Sequence, residues 1–201
     1  MIAVIPCHPT VLGPENLKYS GDIFGVAASA LEERGYRPIL LQGASGDIST
    51  RRTRLSRDYS EAQRIGRALA ERVVKAILSG DVRQAGVKYG EERAVLRLKF
   101  REDAAGEAGA VISRVSKIAP RKAAARIGLL RLGGGEEFLL TPFEPAYALQ
   151  EELGIGLVGV AYDYLGYLAP PGDYYESYMT FVDFWETLGV LKRVLRDLRG
   201  A

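Results

Sequence analysis

Apolar residues recur along this chain in two periods, and their order predicts a strand–helix–strand opening. Residues 2–6 (Ile-Ala-Val-Ile-Pro) form a short apolar run, the pattern of a buried strand, and empty into a loop from Cys7 to Lys18. Ser20 stands where a helix N-cap is wanted, and Asp22 falls in the first turn. Ile23, Val26, Ala27, Ala30 and Leu31 then repeat at helical spacing as far as the stop at Gly35. Residues 37–41 (Arg-Pro-Ile-Leu-Leu) read as a second strand, which predicts parallel pairing through a right-handed crossover.

Further along, the spacing predicts a long helix over 59–78, with Ile65, Leu69, Val73 and Ile77 inward and Gly80 at its end. Residues 86–101 contain a strand in which Arg93, Arg97 and Lys99 interleave with Val95, Leu96 and Leu98, an edge-strand composition. The Ala- and Gly-rich stretch 103–119 carries an apolar stripe and is predicted helical. Residues 126–132 and 136–141 flank Gly133-Gly134-Gly135, a hairpin signal. A short helix near 145–152, a buried strand at 155–161 and a tyrosine-dense loop over 162–178 follow. The chain ends on an amphipathic helix over 180–198 with Phe184, Leu188, Leu191, Val194 and Leu195 on one face. No repeat, linker or boundary interrupts residues 1–201. The predicted fold class is α/β: a single three-layer domain, its sheet mixed and mostly parallel, with helices on both faces.

Composition narrows the function. The net charge is +2, from 27 basic and 25 acidic residues, so no molecule-wide field drives the chain onto nucleic acid or anionic lipid. Arg51, Arg52, Arg54 and Arg57 make a local basic cluster, but Asp47, Asp58 and Glu61 bracket it, as on a solvated helix start. No nucleic-acid partner and no transmembrane segment are expected. One cysteine, Cys7, excludes an internal disulfide, and one histidine, His8, excludes any mechanism that takes two imidazoles from this chain. The N-terminus lacks a basic, then apolar, leader, so a cytoplasmic setting is expected. The 20 arginines against 7 lysines and the few Gln, Met and Cys are in keeping with a heat-adapted source.

Chemistry concentrates in three loops at strand ends. Pro6-Cys7-His8-Pro9 holds an imidazole between prolines, suited to a metal ligand or a general base, or to a hydrogen-bonded surface histidine. Gly43-Ala44-Ser45-Gly46-Asp47-Ile48-Ser49 allows a tight turn, close backbone approach to a ligand and a serine nucleophile, but it is not a P-loop, a dinucleotide fingerprint or an esterase elbow. Pro142-Phe143-Glu144-Pro145 and Tyr162-Asp163-Tyr164-Leu165-Gly166-Tyr167 add a carboxylate beside a proline and a cluster of phenols.

Taken in order, these segments resemble one family. AVIPCHPTVLGPENLKYSGDIFGVAASALEERGYRPILLQGASGDIS over residues 3–49, then LLTPFEPAYALQEEL and VGVAYDYLGYLAPPGDYYESY, are similar to the catalytic segment of the neutral (non-lysosomal) ceramidases, from its His-Pro strand onward. The resemblance implies hydrolysis of an N-acyl amide by a serine acting on zinc. It implies Ser49 as nucleophile and His8, Glu144 and Tyr167, with Tyr164 as alternative, as metal ligands. Gly46, Asp47 and Tyr178 would lie at the substrate, a small-molecule or lipid amide. The chain departs from that pattern in three ways. The family's other zinc histidine lies upstream of the His-Pro strand, Thr50-Arg51-Arg52 replaces the usual Pro-Asn after the serine, and Tyr178 falls one residue short of its spacing. A homo-oligomer, or a partner chain bringing the missing strands and histidine, is therefore expected. The alternative is a non-catalytic member of the same fold that binds a ligand or another protein.

Overall fold

The computed structural model describes residues 1–80, 86–100, 110, 113–114, 116–133, 135–172 and 180–200. They form two compact units, Met1–Gln42 with Ile48–Gln84, and Gly43–Asp47 with Ala85–Ala201.

The first unit is the predicted strand–helix–strand opening followed by the long helix. Strands β1 (Ile2–Ile5) and β2 (Ile39–Gln42) pair in parallel, from Ile2 opposite Ile39 to Ile5 opposite Gln42. Helix α1 (Asp22–Glu32) connects them, and α2 (Tyr59–Ser79) packs on α1. The cap of α1 differs from expectation: Gly21 is the N-cap, and Ser20 Oγ accepts from the Asp22 amide at 3.0 Å. Asp22 itself bends at φ 46° and its Oδ2 accepts from the amides of Val11 and Leu12, at 2.8 and 2.9 Å, pinning the preceding loop. Gly35, at φ +83°, ends the helix as predicted, with the Tyr36 amide donating back to Leu31.

Helix α2 is the predicted element with its face rotated. Ala62, Gly66, Ala70 and Val73 are buried, and Ile65, Leu69 and Ile77 lie at the flanks of the apolar clusters. The reason is helix–helix distance: a Cβ on Gly66 would stand 2.6 Å from Val26 Cβ and 2.8 Å from the Ile23 carbonyl. Small side chains let the two backbones approach, so the large ones move aside.

In the second unit, β3 (Val87–Arg97) and β4 (Lys122–Leu132) form a long antiparallel pair. Strand β5 (Glu137–Leu140) returns beside β4 through the glycine hairpin. Then come β6 (Glu144–Pro145), α3 (Tyr147–Leu153), β7 (Gly156–Val158), which pairs in parallel with β5, and β8 (Tyr167–Leu168), parallel to β6. Helix α4 (Phe184–Gly200) closes the chain. Its predicted stripe of Phe184, Leu188, Leu191, Val194 and Leu195 is buried in one core with Leu96, Ile127, Leu129, Leu139, Phe143 and Leu157. The predicted edge strand does lie at the edge of the order β3-β4-β5-β7. The architecture is the expected α/β with mixed sheets, although the longest pairing is antiparallel. Of the helix predicted over 103–119, residues 110, 113–114 and 116–118 are helical and 119 is a bend; the others lie outside the described residues.

Candidate functional site

The site residues fall into two groups, one in each unit. In the first, β1 delivers the chain to His8, whose amide donates to the Ile48 carbonyl at 2.9 Å. The histidine is therefore tied to the segment that carries Ser49. Ser49 Oγ accepts from the Arg51 amide at 3.3 Å and caps a single 3-10 turn, Thr50–Arg52. Thr50 Oγ1 donates to the Thr10 carbonyl at 2.7 Å, a second tie between the two loops. Cys7, beside the histidine, donates through its thiol to the His8 carbonyl at 3.3 Å, and burial pushes that thiol up from its ordinary value.

In the second unit, residues 43–47 are built into the carboxylate segment. The Gly46 amide donates to the Pro145 carbonyl at 2.8 Å. A Cβ at Gly46 would meet the Glu144 carbonyl at 2.7 Å and the Ala146 amide at 2.9 Å, so only glycine fits. Asp47 Oδ1 accepts from the Tyr147 amide at 3.0 Å. The N-cap of α3, Ala146, has no side-chain acceptor of its own. Asp47 supplies one from 100 residues away in the chain. Gly46 and Asp47 thus hold the strand and helix start that flank Glu144.

Glu144 is buried on β6, and its Oε1 accepts from the Tyr164 hydroxyl at 2.7 Å. Tyr167 stands opposite Glu144 in the parallel β6–β8 register, and register partners project to the same face. Both tyrosines weighed as alternatives from the sequence therefore lie with the carboxylate, Tyr164 through its hydroxyl and Tyr167 through its strand. Tyr178 lies outside the described residues.

The loop that presents these phenols is bent at three left-handed positions, Val160 (φ 53°), Tyr162 (φ 70°) and Gly166 (φ 77°). Val160 is the least suited to that region, being β-branched. Backbone bonds hold the bends: Ala161 to Thr141, Val160 to Phe143 and Leu165 to Pro142, at 2.8, 2.8 and 2.7 Å. Tyr162 reaches the other way, to Tyr89 and Arg126 on β3 and β4. Sequence reasoning singled out neither of these strand residues, since nothing local marks partners 73 and 36 positions distant.

A catalytic zinc takes three protein ligands drawn from imidazole, thiolate and carboxylate. Among the described residues no three His, Cys, Asp or Glu side chains cluster closely enough to hold a metal ion. The donor set implied by the resemblance is one imidazole, one carboxylate and phenols, and phenol is a weak zinc ligand unless better ones fix the ion first. The described residues do not by themselves make up a zinc site.

No protein-family model matches the chain, and no curated protein matches it at a significant level. Among solved structures, neutral ceramidase from Pseudomonas aeruginosa matches at a TM-score of 0.63 and 17% identity, over 99% of this chain and 44% of that one. The chain thus spans less than half the length of the enzyme it matches. Among the described residues no helix is long and apolar enough to cross a membrane. What the likeness establishes is the fold: this chain has the α/β fold of a segment of neutral ceramidase.

Proposed function

We propose that the chain is the serine-bearing part of a ceramidase-like hydrolase that cleaves N-acyl amides, small-molecule or lipid. One observation carries the reading: within that fold, the His8–Ile48 bond puts the chain's one histidine beside the segment of Ser49. The Ser49 hydroxyl attacks the acyl carbon, the amine leaves with a proton, and water then frees the acid. His8 is the imidazole that this reading assigns to the metal. To Glu144, with Tyr167 or Tyr164, this reading assigns the carboxylate and phenol ligands, and to Tyr178 a contact with the substrate. Zinc dependence requires a further imidazole, so in this reading a second chain completes the metal site, and no step is routed through the ion. The lone thiol of Cys7 suits a reducing, cytoplasmic setting.

A non-catalytic, ligand-binding protein of the same fold is favoured by that short donor set alone. Two measurements separate the readings. Purified protein loaded with zinc is analysed for metal beside His8→Ala, and hydrolysis of a fluorogenic N-acyl amide is followed beside Ser49→Ala. Near-stoichiometric zinc lost in His8→Ala, with turnover lost in Ser49→Ala, is the expected result. No zinc and no turnover in the wild type would leave the binding protein; turnover retained in Ser49→Ala would remove the serine from the nucleophile's role.

A further inference from the structure

The geometry points to Tyr162 as a positioning residue: anchored on Tyr89, Glu91 and Arg126, it fixes the Tyr164 hydroxyl on Glu144. This rests on the hydrolase reading for its consequence in catalysis, but not for its geometry.

Tyr162 sits two residues before Tyr164, in the left-handed region that disfavours a side chain. Such a conformation persists only where the surroundings over-determine it. Its hydroxyl lies 2.5 Å from that of Tyr89, and Tyr89 in turn donates to Glu91 Oε2 at 2.5 Å. A phenol has one proton. Since Tyr89 gives its own to the carboxylate, Tyr162 must be the donor in the contact between the two hydroxyls. The chain of bonds therefore runs one way, from Tyr162 through Tyr89 to Glu91.

Arg126 closes the arrangement. Its guanidinium carbon stands 5.2 Å from the centre of the Tyr162 ring, and its Nη1 is 3.8 Å from the same Glu91 oxygen. Burial of the hydroxyl, then the Glu91 bond, push the Tyr89 phenol above its ordinary range, so it remains a donor across the working pH range. The strand beneath is shaped for the ring, because a Cβ at Gly128 would collide with the Tyr162 hydroxyl. On the far side of the bend, Tyr164 donates to Glu144 at 2.7 Å. Asp163 alone separates the two tyrosines, its amide turned back to the Ala161 carbonyl at 2.9 Å, and the bonds to residues 141–143 come from Val160, Ala161 and Leu165 on either side, so the Tyr162 side chain ties the span between those fixed points to β3. Freeing Tyr162 therefore lets the bend relax toward ordinary φ values and carries Tyr164 away from the carboxylate.

The test is a double-mutant cycle with a second, activity-independent readout. Tyr162→Phe, Tyr164→Phe and the double variant are assayed for kcat/KM on a fluorogenic N-acyl amide, and the Tyr164 ring is followed by NMR in ¹³C-tyrosine protein. Tyr162→Phe keeps the ring over Arg126 and loses only the hydroxyl. Expected are a displaced Tyr164 resonance, a fall of about tenfold in kcat/KM, and almost no further loss when Tyr162→Phe is added to Tyr164→Phe. Tyr89→Phe, which removes the acceptor instead, moves the Tyr164 resonance in the same direction. Equal losses in both backgrounds would mean that Tyr162 acts on stability alone and overturn the proposal, as would a Tyr164 resonance unmoved by both variants. If the wild type has no amide turnover the hydrolase reading falls by itself, and the NMR comparison still decides the anchor.

Discussion

At Gly46 the limit is space rather than backbone freedom, since what a side chain would strike is main chain on three successive residues, Glu144 to Ala146. Main chain cannot turn aside as a flexible side chain does, so Gly46→Ala is expected to cost about 1–3 kcal/mol, the usual range for overpacking. Urea denaturation checks the size, and a loss under ~0.5 kcal/mol would mean that the segment around Glu144 yields easily. Asp47→Ala removes the acceptor from the start of α3, worth about 1 kcal/mol. Ser49 differs from both. Its hydroxyl makes one long bond at the end of a single turn, so Ser49→Ala should lose little stability while removing turnover. Two residues of one glycine-rich loop therefore serve the scaffold, and the third is the one to which the proposed reading gives the chemistry. The sequence made the loop conspicuous without separating these roles, because the partners of Gly46 and Asp47 lie about 100 positions away.

Among the elements, α2 carries an ionic device at its start. Glu61, buried in the first turn, accepts from Arg64 Nε at 2.8 Å and from the Leu55 amide at 2.8 Å, and Asp58 caps the helix through the Glu61 amide. Arg64, then the Leu55 amide, hold the Glu61 carboxyl below its ordinary value. The sign follows from linkage: the unfolded chain takes up this proton first as pH falls. The contribution is complete above the unfolded value of about 4.3 and is lost as pH drops through the lower, folded one. Thermal melts should accordingly fall on acidification below about pH 4, and Glu61→Gln should lower stability at pH 7 and flatten that acid limb. An unchanged limb would place the acid sensitivity elsewhere. Elements of this kind were legible because their signals are local: periodicity gave α1, α2 and α4, and glycines gave the helix stop at Gly35 and the β4–β5 hairpin. What was not legible was set by partners in space. The inward face of α2 follows from how closely α1 approaches Gly66, and the cap of α1 moved to Gly21 while Ser20 and Asp22 served the loop before it.

For the whole molecule the question is what lies against β1 and β2. Parallel strands normally belong to larger sheets covered on both faces, and a two-stranded sheet is weak by itself. Here Ala3 and Leu40 turn toward the cluster formed with α1 and α2, which leaves the register partners Ile2 and Ile39 on the opposite face. Those two are 39% and 55% exposed, a branched aliphatic pair standing in water. The candidate site has a matching deficit, one imidazole in a donor set that needs more, legible from the sequence because it is a count and not a contact. In the proposed reading a second copy of the chain would answer both, covering apolar surface and bringing another His8. Sedimentation or light scattering should then report a mass above the 22.0 kDa of one chain at micromolar concentration. Ile39→Glu, which buries a charge at such a contact but sits harmlessly on an exposed face, should restore the single-chain mass without lowering the melting temperature of that single chain. Near-stoichiometric zinc in the wild type that vanishes in Ile39→Glu would tie the metal to the contact. A wild type that stays a single chain at ~100 μM would exclude the second copy, and the missing imidazole would then have to come from a different polypeptide.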